Sequence, residues 1–184
     1  MEEQLRRHQN DPMVAEVLGL GLCVTPGYES DLKELYGAEE WVAKAEAART
    51  SATAAYVAEL QTAAPVSLVA AAFIIYGALV VGGGKQTQLK VRKVLPGCEH
   101  RLFDVADDMP EARRQFKGCF TGLGKTHPEH FATLEAEAAR YMRRNNEVVL
   151  SVRVWGKATT AATAAALAAV ALAAAVAARW AKGR

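Results

Sequence analysis

Acidic residues are missing from two long stretches of this sequence: none falls between Glu59 and Glu99, and none follows Glu147. Neither sign of charge dominates the whole. With 22 Lys and Arg against 20 Asp and Glu, a formal net charge of +2 excludes a strongly basic nucleic-acid binder and an acidic solvating tail. Cysteine is scarce. Cys23, Cys98 and Cys119 are odd in number, form no CxxC pair and show no metal-binding spacing, which suits a reducing compartment. Six prolines and 14 glycines are too few for collagen-like or proline-rich disorder. No segment reads as a convincing strand, so the expected fold class is all-α. At 184 residues the chain fits one domain of ordinary size, long enough to bury a core.

Two apolar runs stand out. Ala158–Ala178 is 21 residues without a charge, between Lys157 and Arg179. As a helix it is about 31 Å long, close to the hydrocarbon thickness of a bilayer. Alanine dominates it, and Arg179, Trp180, Lys182 and Arg184 make an interfacial anchor. The expectation is a C-terminal tail anchor over 158–181 with the rest of the chain facing the cytosol; the competing reading is an alanine-rich helix, either buried or facing solvent and held by propensity. The second run, Ala63–Gly84, is 22 uncharged residues. Pro65 suits a first helical turn, Tyr76 is a polar group in mid-span, and Gly82-Gly83-Gly84 ends the run without an aromatic belt. Consecutive glycines fit a place where backbone bends or another group approaches closely. By pattern alone this run reads equally as a second membrane span or a buried core helix.

The remainder divides at turn signals. Met1–His8 reads as a short helix and Asn10-Asp11-Pro12 as a turn; residues 12–26 are weakly patterned. Pro26-Gly27 breaks the chain, and Ser30 is placed to cap a helix ending at Gly37. Residues 38–62 show a rough helical period that Thr50–Thr53 interrupts. Residues 65–95 read as one glycine-containing helix, 101–105 as an extended link, and 110–121 as an amphipathic helix. A long helix begins at Pro128, with Phe131, Leu134, Ala138, Tyr141, Met142, Val148 and Val149 as its apolar stripe.

Motif chemistry alone names no reaction. His127 and His130 flank Pro128-Glu129, and a pair three apart can share a metal, but a helix cap in solvent is the better reading. His8 and His100 read as isolated surface residues. Gly82-Gly83-Gly84-Lys85 lacks the spacing and preceding strand of a phosphate-binding loop.

Taken as an ordered series, residues 1–153 resemble the heme oxygenase family. The segments that carry the likeness are YESDLKELYG at 28–37, AAYVAEL at 54–60, PVSLVAAAFIIYGALVVGGGKQ at 65–86, Leu102-Phe103-Asp104, Gln115-Phe116-Lys117 and LEAEAARYMRRN at 134–145. The resemblance implies a heme-oxygenase-like helical domain over 1–155, with 65–95 as the family's distal helix inside the domain and not a second span. It implies heme as cofactor and substrate, degraded to biliverdin, iron and carbon monoxide with electrons from an NADPH-dependent reductase. Position by position, Gly82 and Gly83 match the glycine pair of the distal bend, and Tyr76 matches the tyrosine before it. Ala78 and Leu79 occupy the places where the family reads Gly-Asp, so the acid that orders distal water is replaced by Leu79. Phe73 replaces a tyrosine at a heme propionate. Lys117 matches a propionate-binding lysine, Thr121 stands in place of an arginine, and Met142 and Asn145 match pocket positions of the long C-terminal helix.

Met1-Glu2-Glu3 aligns inside the family's second helix, so this sequence carries no counterpart of the proximal helix and its iron-binding histidine; His8 is no substitute. The expectation is therefore a membrane-anchored heme oxygenase relative lacking catalytic groups, with heme binding through Phe73, Tyr76, Ala78, Gly82, Gly83, Lys117, Met142 and Asn145. The alternative is a non-catalytic structural or interaction subunit of a membrane complex on the same scaffold. A two-span membrane protein without heme is a third. The endoplasmic reticulum is the membrane the resemblance implies, with mitochondrial, peroxisomal or plastid outer membranes as alternatives suited to the basic end.

Overall fold

Helix α6, Pro65–Val80, runs through the middle of the molecule, and most of the fold is arranged to cover it. A computed structural model describes residues 1–152; the expected anchor at 158–181 lies outside the described residues. Among these, the chain is helical throughout: α1 Glu2–Arg7, α2 Pro12–Leu18, α3 Thr25–Tyr36, α4 Trp41–Ala47, α5 Ser51–Gln61, α6, α7 Gly84–Val94, α8 Met109–Thr126 and α9 Phe131–Ser151, with short 3₁₀ turns at Arg101–Phe103 and Pro128–His130.

An all-round apolar helix belongs in a core, and α6 is placed there. Ser67–Ala72, Ile74, Tyr76 and Val80 are buried against α1, α2, α8 and α9. Leu5 of α1, Met13, Val14 and Val17 of α2, Tyr56 and Leu60 of α5, Phe116 and Leu123 of α8 and Tyr141 of α9 complete the core. The second apolar run is thus the core helix that the resemblance implies. No single described helix is long and apolar enough to cross a membrane.

Local chemistry sets several helix ends. The Asp11 carboxylate accepts from the amides of Met13 and Val14 (3.0 and 3.1 Å), so the weakly patterned stretch begins with the capped helix α2. Thr50 caps α5 through a bond from the Thr53 amide, which is why the alanine-rich segment splits into α4 and α5 where the threonines stand.

Other expectations are corrected. Pro26-Gly27 does not break the chain but lies in the first turn of α3, where proline's missing N–H costs nothing; Ser30 is interior and caps nothing. Gly27 is required there because a Cβ would sit 2.4 Å from the Arg101 carbonyl oxygen. Residues 101–103 form a 3₁₀ turn and not an extended link, since the buried Asp31 carboxylate takes the amides of Arg101 and Leu102 (2.6 and 2.9 Å). The amphipathic helix extends to Thr126, and the last helix starts at Phe131 after the Pro128 turn. In α9 only Leu134, Ala138, Tyr141 and Val148 of the proposed stripe reach the core; Phe131, Met142 and Val149 are exposed.

Candidate functional site

The glycine run divides the expected 65–95 helix in two. The amides of Val81 and Gly82 both reach the carbonyl of Gly77 (2.9 and 2.8 Å), and Gly83 follows at φ +92°, a left-handed conformation that favours glycine. A Cβ on Gly82 would lie 2.8 Å from the Ala78 carbonyl oxygen, and one on Gly84 2.6 Å from that of Leu79. Arg113 Nε of α8 donates to the Val80 carbonyl (3.0 Å), satisfying a carbonyl that the helix end leaves open. Beyond this knot α7 departs at 60° to α6.

Against the bend lies a cavity of about 640 Å³ built from three helices. Helix α6 and the bend contribute Phe73, Ile74, Gly77, Ala78, Val81 and Gly82; α8 contributes Phe116, Lys117, Phe120 and Thr121; α9 contributes Met142 and Asn145. The spacings are those of single helix faces: Phe73 and Gly77, Phe116 and Phe120, Lys117 and Thr121 at four apart, Met142 and Asn145 at three. Phe73, Phe116 and Phe120 form an aromatic cluster at one end, with ring centroids 4.7–5.9 Å apart. Gly77 leaves room for it, because a Cβ there would come within 3.3 Å of the Phe116 ring. Among the described residues Lys117 is the one cation of the lining, and no carboxylate lines it. Phe73 and Met142 are exposed, so the cavity is open to water. A second, smaller apolar hollow adjoins it across Phe73 and Phe120.

Of the residues marked in the sequence, Phe73, Ala78, Gly82, Lys117, Met142 and Asn145 share this lining, as does Thr121. Three do not. Gly83 lies off the lining and serves the bend. Leu79 packs against the core. Tyr76 is buried, and its hydroxyl donates to Glu2 Oε1 (3.0 Å). Glu2 is itself buried and also accepts from the amides of Val24 and Thr25, the Thr25 hydroxyl and the Cys23 thiol. Burial pushes its carboxyl up, but these donors outweigh burial and hold it below the usual range. Burial and the adjacent Glu2 carboxylate push the Tyr76 hydroxyl well up, so it remains a donor.

Sequence reasoning missed Glu2, whose partners lie 21 to 74 positions away, and missed Gly77, Phe116 and Phe120 as lining residues. The four-residue spacing of the two phenylalanines was the available signal. None of the four histidines lines the cavity. His127 ends α8 beside Glu16 and Glu129 (3.9 and 3.6 Å). His100, expected at the surface, is only 4% exposed: the chain folds back after Pro96-Gly97 and its Nε2 meets the Leu95 carbonyl oxygen (3.0 Å).

No curated protein and no solved structure matches the chain. The model of the family described as heme oxygenase matches residues 1–150, the span that contains the core helix, its glycine bend and every lining residue of the cavity. Matched over that length, with an all-helical fold to accompany it, this chain belongs to the heme oxygenase family.

Proposed function

We propose that this chain binds heme in the cavity between α6, α8 and α9, and that it retains heme in preference to degrading it. One observation carries the reading: six residues that the family resemblance marks as heme contacts, drawn from three helices, line a single cavity. The lining suits such a ligand. Gly77, Ala78 and Gly82 present backbone and small groups to a flat face, and the phenylalanine cluster supplies an apolar edge. Lys117, with no acid beside it in the lining, offers a cation to a carboxylate-bearing rim, and Thr121 and Asn145 add hydrogen-bonding groups. The volume falls in the range of cofactor sites.

Heme bound in this family supplies the oxidative chemistry that opens its own ring. For that chemistry the chain's residues would position the ligand and deliver protons. Positioning is provided for; among the described residues no acid to hold a proton lines the cavity, and Leu79 is committed to the core. Water enters freely past Phe73 and Met142, which leaves proton supply undirected.

Heme titration of the full chain followed by its absorbance tests the first half. One heme per chain is expected, with Ala78→Phe, which fills the cavity from an exposed position, weakening binding about 10-fold or more, a loss near 1.4 kcal/mol. Unsaturable binding, or an Ala78→Phe variant that binds as well as the parent, overturns the assignment and favours a structural or interaction subunit. Biliverdin formation with NADPH and a reductase tests the second half; sustained turnover overturns retention.

We also propose that Ala158–Ala178 anchors the chain in a membrane, a reading carried by the uncharged sequence alone. Release of the chain from membranes by alkaline carbonate would refute it.

A further inference from the structure

Away from the cavity, three buried side chains of metal-ligating type converge. Asp31 of α3 and Cys98 and His100 of the loop after α7 are 4, 5 and 4% exposed, and one ligand atom of each lies within 4.8 Å of the other two. None of them lines the heme cavity. We propose that Asp31, Cys98 and His100 form a binding site for a divalent transition metal of the zinc class.

The donor set is thiolate, imidazole and carboxylate, which suits borderline metals such as zinc or cobalt and not magnesium or calcium. In a tetrahedral site with bonds of about 2.0–2.3 Å, ligand atoms stand roughly 3.3–3.8 Å apart, so the cluster needs to contract by about 1.5 Å at most.

Two of the three side chains are already oriented from behind. The Asp31 oxygens accept from the amides of Arg101 and Leu102, and each oxygen keeps a lone pair. His100 Nε2 faces the Leu95 carbonyl (3.0 Å), which fixes that nitrogen as the donor and leaves Nδ1 with its lone pair, the arrangement that ligating histidines commonly show. Gln88, fully buried, donates from Nε2 to the His100 carbonyl (2.8 Å).

The backbone adds an independent sign. His100 sits at φ 55° and is the one non-glycine residue at positive φ among the described residues. Such a conformation persists where its surroundings hold it, and it often marks a functional position. Glu34, one turn beyond Asp31 on α3, accepts from the Glu99 amide (2.8 Å) and ties the same loop to α3, so the three converging side chains leave the fourth position of the ion to water. Coordination replaces the Cys98 S–H bond with a sulfur–metal bond and releases that proton to solvent; Asp31 and the thiolate then balance the charge of the ion. The bound ion would clip α3 to the segment between α7 and α8. Spacing in the sequence could not show this, because Asp31 stands 67 positions before Cys98.

The test is titration of the full, heme-free, reduced chain with Co²⁺ alone. A thiolate-to-cobalt charge-transfer band and the visible bands of tetrahedral cobalt should saturate at one equivalent, and Zn²⁺ should displace them. Cys98→Ser and His100→Asn (asparagine tolerates the left-handed backbone) should each weaken binding about 10-fold or more. Cys23→Ser and Cys119→Ser should leave it unchanged. Absence of the thiolate band, its survival in Cys98→Ser, or its loss only with Cys23 or Cys119 overturns the proposal. Should the Cys98 and His100 variants fail to fold, alkylation of the parent chain decides. Zn²⁺ should slow modification of Cys98 and leave Cys23 and Cys119 unaffected; equal effects on all three, or none, overturn the site.

Discussion

Glu2 shows how much a single side chain can organise. Its carboxylate gathers five donors from the stretch Cys23–Thr25 and from Tyr76, joining α1 to the start of α3 and to the core helix. Removing the charge while keeping the shape, Glu2→Gln, should destabilise the fold by about 1–3 kcal/mol in urea unfolding at neutral pH. Because the folded-state pKa lies below that of an ordinary glutamate carboxyl, about 4.3, this stabilisation is complete above that ordinary value and is lost as pH falls through the folded-state pKa. The difference between parent and variant should therefore shrink in acid. Parallel stability curves down to about pH 3 would deny Glu2 this role. None of this was readable beforehand: an acidic residue in a first helical turn reads as a solvated dipole partner, and only the tertiary fold brings Tyr76 to it.

Among the elements, the α6–α7 junction matters most. Three glycines there serve different needs: Gly82 and Gly84 make room for carbonyl oxygens, while Gly83 supplies a left-handed turn. Gly83→Ala meets open space but an unfavourable φ, and should cost about 1–2 kcal/mol, with Gly83→Asn costing less. Thermal unfolding by circular dichroism separates the two; equal midpoints would remove backbone strain as the reason for glycine. The sequence disclosed this element well. A glycine cluster after a long apolar run signals a bend, and Thr50 signalled the break between α4 and α5. It disclosed least where a neighbour overrode a local cue. Pro26-Gly27 resembles a breaker, yet Gly27 is there to admit the Arg101 carbonyl, and the 101–103 turn forms because Asp31 holds its amides.

For the molecule as a whole, the core is closed while the cavity stands open. Glu59 of α5 binds both Arg140 and Arg144 of α9, and with the Tyr56–Tyr141 pair (centroids 5.7 Å apart) fixes one side of α9. The adjoining face presents Met142 and Asn145 to the cavity. Glu59→Ala leaves two arginines without their shared partner and should loosen α9. About 1–3 kcal/mol of lost stability is expected, with weaker heme uptake because two lining residues ride on that helix. Heme at 100 times its dissociation constant should add about 2.7 kcal/mol, raising the thermal midpoint by about 5–10 °C. At the same heme concentration that rise should fall by half or more in Ala78→Phe. Six of the residues that the family likeness marks fall on this one lining, where helical spacing keeps residues three and four apart on one face. Tyr76 and Gly83 escaped the same logic, one drawn inward by Glu2 and one used up by the turn.

The glycine junction has a bearing on how such a chain changes over time. Where main chain itself forms the ceiling of a hollow, mutation has no side group there to enlarge, recharge or trim. Substitution can repaint the walls around it, while the vault keeps its height.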